Sequence, residues 1–281
     1  MEGVDPQVAP TAYPQGNDFH QIWYLMFDHK FYLAPVPIET THRILDVGTG
    51  GGEWPLAISE KFQHAEIIGT DITPVVQTEK APNVSYMIDD LSKEWTVEGE
   101  FDYIHARALV SVVKDWRHFF EQAYEKLKPG GWVELDEFTF PLLCESGFAP
   151  DDLVIDWSHK FYSACFCRGI DLSNIVGLED EIASAGFINV SKRNKKFPFN
   201  PWGEEPQMLE VGELCAKSLS DDLSPLSVAL FTQAFGWSEE NIVTYLQEVR
   251  KEIFSKDVHR QVREFIYYAQ KPEDSEPESE E

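Results

Sequence analysis

RILDVGTGGGEWPL, residues 43–56, joins a short apolar run to an aspartate, a glycine-rich turn and the start of an amphipathic segment. Such a strand, turn and helix opens an α/β sheet, and the turn's chemistry decides what the sheet holds. The dinucleotide fingerprint GxGxxG needs a third glycine at position 53, where Glu53 stands. A negative side chain at that helix start opposes a pyrophosphate. A P-loop needs a Gly-Lys-Ser/Thr ending, and the stretch has none. Both phosphate readings fail.

What remains is D-x-G-x-G-x-G: Asp46, Gly48, Gly50 and Gly52, with Thr49 inside the turn. Glycines let a ligand approach the backbone closely, and nearby carboxylates complement a positive charge. S-adenosyl-L-methionine has these properties: an ammonium, a sulfonium and no phosphate. Asp71, beside Ile72, ends the second apolar run 21 positions after Gly50, where an acid accepts from ribose hydroxyls. In "IDDL" (88–91), Asp90 is placed to accept from the adenine amine with Leu91 against the ring, and Asp89 is an equally good chemical candidate. Strand or helix capping is the competing reading of each acid taken singly.

Outward from the turn, strands and helices alternate. Strands are predicted at 43–47, 65–71, 84–89, 101–107 and 131–138, with helices at 54–62 and 116–127. This pitch means a parallel sheet covered on both faces. Before it, "NDFHQIWYLMFDHKFYLAP" (17–35) reads as an aromatic helix stopping before Pro35. After it come helices at 150–168 and 174–185, a strand at 187–199, three helical patterns (206–219, 224–236, 238–254) and a closing strand at 259–270. The expected organisation is a flexible arm (1–16), one domain (17–270) and a disordered acidic tail (271–281). Within the domain, 17–42 is a lid, 43–138 the cofactor half, 139–258 a strand plus helical cap, and 259–270 the closing strand.

With 23 Lys+Arg against 49 Asp+Glu, the net charge is −26, and the last eleven residues hold six acids and one lysine. This field repels phosphate backbones, so direct nucleic-acid binding is not expected, whereas a basic protein partner is compatible. No apolar run reaches the roughly 20 residues of a membrane span, and the N-terminus lacks a signal peptide's regions. The expected compartment is the cytoplasm, with the nucleus open. Cys144, Cys165, Cys167 and Cys215 read as reduced thiols, and the eight histidines form no metal motif.

Asp46–Gly52, "GTDITP" (69–74), "IDDLSKEWT" (88–96), "FDYIHAR" (101–107), "KDWRHFFEQAYEKLKPGGWVELDEF" (114–138) and the 237–260 segment together resemble the fungal LaeA-like methyltransferases. These are class I S-adenosyl-L-methionine-dependent enzymes and enzyme-like regulators of secondary metabolism and development. The resemblance spans about Tyr13 to Pro272. It implies a seven-stranded sheet with helices on both faces, the last strand antiparallel, and a helical cap. Gly51 replaces the polar residue usual between the second and third glycines. Phe19 replaces an acid in the N-terminal arm motif, which suggests a more apolar substrate side.

Methyl transfer mainly requires holding a nucleophile about 3–3.5 Å from an already activated carbon. His105, ending the fourth strand, is the candidate base and a further cofactor contact, with a histidine satisfied by a neighbour as the competing reading. Arg107 suits a substrate carboxylate, or pairing with a protein acid. Tyr13, His20 and Trp23 lie on the segment expected to cover the substrate, where Trp23 also reads as core. Glu134 and Glu137 are not assigned to catalysis, while Trp202 and Trp237 are candidates for the far wall of the pocket. Three functions follow: a methyltransferase acting on oxygen or nitrogen of a small molecule, with S-adenosyl-L-homocysteine as product; a regulatory subunit docking on proteins; or a cofactor-bound protein catalysing a rearrangement.

Overall fold

The structure, a computed structural model, describes residues 17–77, 79–147 and 149–274. The whole of the proposed arm (1–16), Tyr13 included, and positions 275–281 of the acidic tail lie outside the described residues.

The sheet grows from β1 (Arg43–Val47), an apolar run buried except at its first residue, as a strand covered on both faces must be. β2 (Glu66–Asp71) and β4 (Phe101–Arg107) flank it in parallel, and β3 (Val84–Ile88) and β5 (Leu127–Phe138) extend the sheet outward. The order is β3-β2-β1-β4-β5-β8, with β8 (Arg260–Gln270) antiparallel to β5 and β7 (Ile188–Pro198) antiparallel to β8. The sheet has eight strands rather than seven, because the two-residue β6 (Leu143–Cys144) pairs with Arg260–Gln261. Helices α2 (Glu53–Ser59) and α3 (Trp116–Lys126) return the chain between parallel strands. The Asp115 carboxylate caps α3 by accepting from His118 N–H at 3.0 Å.

Helix α1 (Asn17–Met26) is shorter than the aromatic pattern predicts. Asp28 and His29 take positive φ (53° and 63°), which ends the helix, and the next aromatic residues continue as an irregular strap. That strap is pinned where the Glu134 carboxylate accepts from the backbone N–H groups of Leu33 and Ala34.

The cap contains α4 (Leu153–Cys167), α5 (Glu179–Ser184), α6 (Pro206–Phe235) and α7 (Glu239–Glu252). Two of the predicted helices form the single 30-residue α6. Pro225 is exposed there, while Leu223, Leu226 and Leu230 carry the buried stripe across it. The 174–185 prediction divides into a 3₁₀ turn (Asn174–Gly177) and α5. Among the described residues no helix is long and apolar enough to cross a membrane.

Candidate functional site

The turn after β1 sits at the C-terminal edge of the sheet, where open α/β sheets bind ligands. Gly50 and Gly52 have φ of 59° and 84°. A methyl group on Gly52 would lie 2.7 Å from the Tyr86 ring, whereas one on Gly50 would meet nothing within 4 Å. The backbone at Gly50 therefore borders open space. Asp71 shapes the turn: Oδ2 accepts from Gly50 N–H at 2.9 Å, and Oδ1 accepts from the Thr73 N–H and hydroxyl.

Asp46 faces inward. Its Oδ1 lies 2.6 Å from His105 Nδ1, and its Oδ2 accepts the Thr49 hydroxyl at 2.5 Å. His105 Nε2 is 3.4 Å from Asp136 Oδ2, and its ring stacks on Trp54 at 3.7 Å between centroids. Burial disfavours the imidazolium, yet hydrogen bonds to Asp136 and Asp46 outweigh it and hold His105 above the usual histidine value. The ring is fully buried, with a carboxylate at each nitrogen.

Past β3, Asp89 accepts from the Thr96 N–H and hydroxyl and from Asp90 N–H. Asp90 accepts from the Ser92 N–H and hydroxyl and pairs with Lys93 at 2.9 Å. Burial would raise the Asp90 carboxyl, but the Ser92 and Lys93 hydrogen bonds dominate and hold it below the ordinary range. Leu91 packs on the core, while Ile72 and Ile88 are exposed beside the two acidic strand ends. Ile88 escaped the sequence reading; an apolar residue closing the third strand was the available signal.

On the other side of β4, Arg107 Nη2 lies 3.3 Å from His20 Nδ1, and its guanidinium sits 5.5 Å from the Trp23 ring centroid. Burial and then the Arg107 charge push His20 down to about 3, so its ring is neutral and accepts from Arg107. His20, Trp23 and Arg107 thus come together, although Trp23 is 1 % exposed and stacks on Phe138 as a core residue. Glu134 and Glu137 hold backbone: Glu137 accepts from the N–H groups of Leu109 and Val110 at 2.6 and 3.1 Å. Beyond Phe138 lies a cavity of about 50 Å³, lined by Phe19, Phe140, Trp157, Phe161 and Phe197 among others. Its far wall is Cys215, Ser218, Leu219 and Leu226 of α6. Trp202 stacks instead on His259, and Trp237 packs on Tyr245.

A family model described as a methyltransferase domain matches residues 19–192. The chain belongs to that methyltransferase family. Methyltransferase pytC of Aspergillus terreus is 29% identical over 93% of this chain and 84% of its own. The secondary metabolism regulator LAE1 of Cochliobolus heterostrophus is 26% identical over 91% of this chain and 85% of its own. Among solved structures, Haemonchus contortus phosphoethanolamine N-methyltransferase 2 with S-adenosyl-L-methionine shares the fold at a TM-score of 0.55 and 22% identity. That likeness covers 95% of this chain and 58% of the other.

The protein is a class I, S-adenosyl-L-methionine-dependent methyltransferase, and its residues suit that cofactor. Gly50 leaves room above the backbone. An ionised carboxylate offers about four acceptor positions, and Asp71 uses three in the turn, which leaves capacity on Oδ2. The exposed Ile72 and Ile88 supply an apolar ledge suited to a flat ring. Among the described residues no three His, Cys, Asp or Glu side chains could hold a metal ion.

Proposed function

We propose that this methyltransferase acts on a small-molecule acceptor, at oxygen or nitrogen, with the acceptor entering from the aromatic side of β5. The ring-lined cavity beyond Phe138 supports this reading, because its almost wholly apolar wall suits a small hydrophobic group better than a polypeptide backbone. When bound, the cofactor supplies a methyl carbon activated by its sulfonium. The chain supplies placement. Gly48, Thr49, Gly50 and Gly52 present the turn, Asp71 takes the ribose, Ile72 and Leu91 flank the adenine, and Asp89 or Asp90 accepts from its amine.

Asp46 and His105 form the wall beneath, and His105 positions Asp46 rather than receiving the acceptor's proton. Both of its nitrogens are already held by carboxylates. Arg107, steadied by His20 and Trp23, closes the substrate side, and Tyr13 belongs to the arm expected to cover it. The cytoplasm is the compartment for this reading.

A second reading has its own support. The similarity to a named regulator and the charge of −26 favour a subunit that docks on a basic protein surface, in which case the nucleus is the place of action.

Incubating the protein with methyl-labelled cofactor and a cell extract separates the two. Label in the small-molecule fraction is expected. Label confined to protein, or no transfer alongside a stably co-purifying partner, overturns the first reading. Calorimetry provides the cofactor control: Asp71→Ala should weaken binding by about 1–3 kcal/mol, and no heat from the wild-type protein would refute the cofactor assignment.

A further inference from the structure

Arg107, the last residue of β4, stands directly opposite Asp136 of β5 in the ladder. Its guanidinium reaches α1 instead, where Nη2 donates to His20 Nδ1 at 3.3 Å and the Trp23 ring centroid lies 5.5 Å away. Asp46, Asp136, Glu53 and Glu264 act on its charge through space, yet among the described residues none forms an ion pair with it. Asp46 and Asp136 are bonded to His105, and burial raises Asp136 and Glu264 toward their uncharged forms. The pairing with a protein acid that the sequence left open is therefore not made. Arg107 is half-buried, and burial is the largest influence on it, working against its charge. A desolvated cation without a counter-ion is costly to keep.

What the side chain still offers defines the missing group. Nε and Nη1 donate to nothing among the described residues, and neither is sealed from solvent. His20, held neutral, accepts at Nδ1, so its own proton sits on Nε2. The corner between β4 and α1 thus presents N–H groups and a positive charge. A planar guanidinium with a free edge matches the two oxygens of a carboxylate. Its place is on the acceptor's side. Trp23 stacks on Phe138 at the end of β5, 4.4 Å between centroids, so the guanidinium is drawn toward β5. The cofactor's turn follows β1, which borders β4 on its other flank.

We propose that the acceptor is a carboxylic acid whose carboxylate is held by Arg107 beside His20. This rests on the small-molecule reading above and narrows it to a substrate class. The amino-acid end of the cofactor also carries a carboxylate, and the test separates the two sources.

Calorimetry uses three probes of similar size: 3-phenylpropionate, 3-phenylpropionamide and 3-phenylpropylamine. Each is titrated into the full chain at neutral pH, with and without saturating S-adenosyl-L-homocysteine. The acid should bind at least tenfold tighter than the amide, and the amine more weakly still. Arg107→Gln should bring acid and amide to equal affinity while leaving S-adenosyl-L-homocysteine and its decarboxylated analogue within twofold. The proposal is overturned if the amide or amine matches the acid on the wild-type chain, if none of the three binds, or if the acid preference survives in the variant. A larger loss of S-adenosyl-L-homocysteine binding in Arg107→Gln overturns it as well. The guanidinium holds the cofactor's carboxylate if the decarboxylated analogue is unaffected, and acts through the fold if both weaken. Should Arg107→Gln not fold, Arg107→Lys reads the same comparison: the acid preference should shrink with the fork removed, and an unchanged preference overturns the proposal. Acid selectivity that depends on Arg107, with label confined to protein in the extract experiment, would count against the small-molecule reading and leave the carboxylate site standing.

Discussion

At Gly52 the backbone has φ of 84°, and a side chain there would run into the Tyr86 ring, whose hydroxyl donates to the Gly52 carbonyl. Gly51 differs: its φ is not positive, and an added Cβ would meet only the mobile end of Glu53. Gly52→Ala should therefore destabilise by about 1–3 kcal/mol through backbone strain and weaken cofactor binding. Gly51→Ser should stay within about 0.5 kcal/mol. Urea midpoints and calorimetry check both, and equal effects at the two positions would contradict the distinction. The sequence alone revealed the glycine spacing, because positive-φ turns select glycine locally. It could not reveal what holds His105. Its strand-end position was legible, but Asp46 and Asp136 are 59 and 31 residues away, and only the β1–β4–β5 register brings them to the ring.

The elements themselves were largely legible, since buried parallel strands are short apolar runs and the exposed face of α3 is polar. Reading failed where tertiary burial overrode local signals. Pro225 and the acidic Asp221–Asp222 pair mimic a break, but both lie away from the stripe that keeps α6 continuous. The tie between α4 and β8 had no local signal. Arg260, the first residue of β8, donates from Nε and Nη2 to Asp152, which also caps α4 by accepting from Ile155 N–H. Both side chains are buried. Arg260→Met should cost about 3–5 kcal/mol, because it strands a buried charge rather than merely losing a contact. Adding Asp152→Asn should recover much of that loss, as asparagine still caps the helix. A double-mutant cycle by urea unfolding measures the coupling, and additive losses would refute it.

Across the whole molecule, charge and burial act together. The chain carries −26, yet Glu134, Asp136, Glu137 and Glu264 lie buried in its interior. Burial, reinforced by Asp136, pushes Glu134 from 4.5 up to about 8. Between those values the folded chain holds a proton that the unfolded chain has released, so stability falls as pH rises through that window. Burial of Glu137 and Glu264 acts in the same direction. His20 works oppositely: lowered from 6.5 to about 3, it excludes a proton that the unfolded chain binds, so stability falls as pH drops below 6.5. The two effects oppose each other between 4.5 and 6.5, and above 6.5 the buried acids act without that opposition. The three buried acids outnumber the single histidine, so the urea midpoint should be highest near pH 4.5, fall toward pH 6.5 and fall more steeply toward pH 8, by up to about 1.4 kcal/mol per pH unit for each group in its window. Glu134→Gln should flatten the alkaline limb, since its neutral amide has no proton to lose and keeps an acceptor for the Leu33–Ala34 strap. A midpoint that rises from pH 6.5 to 8 in the wild-type protein would show that these acids are ionised and paired in the folded chain.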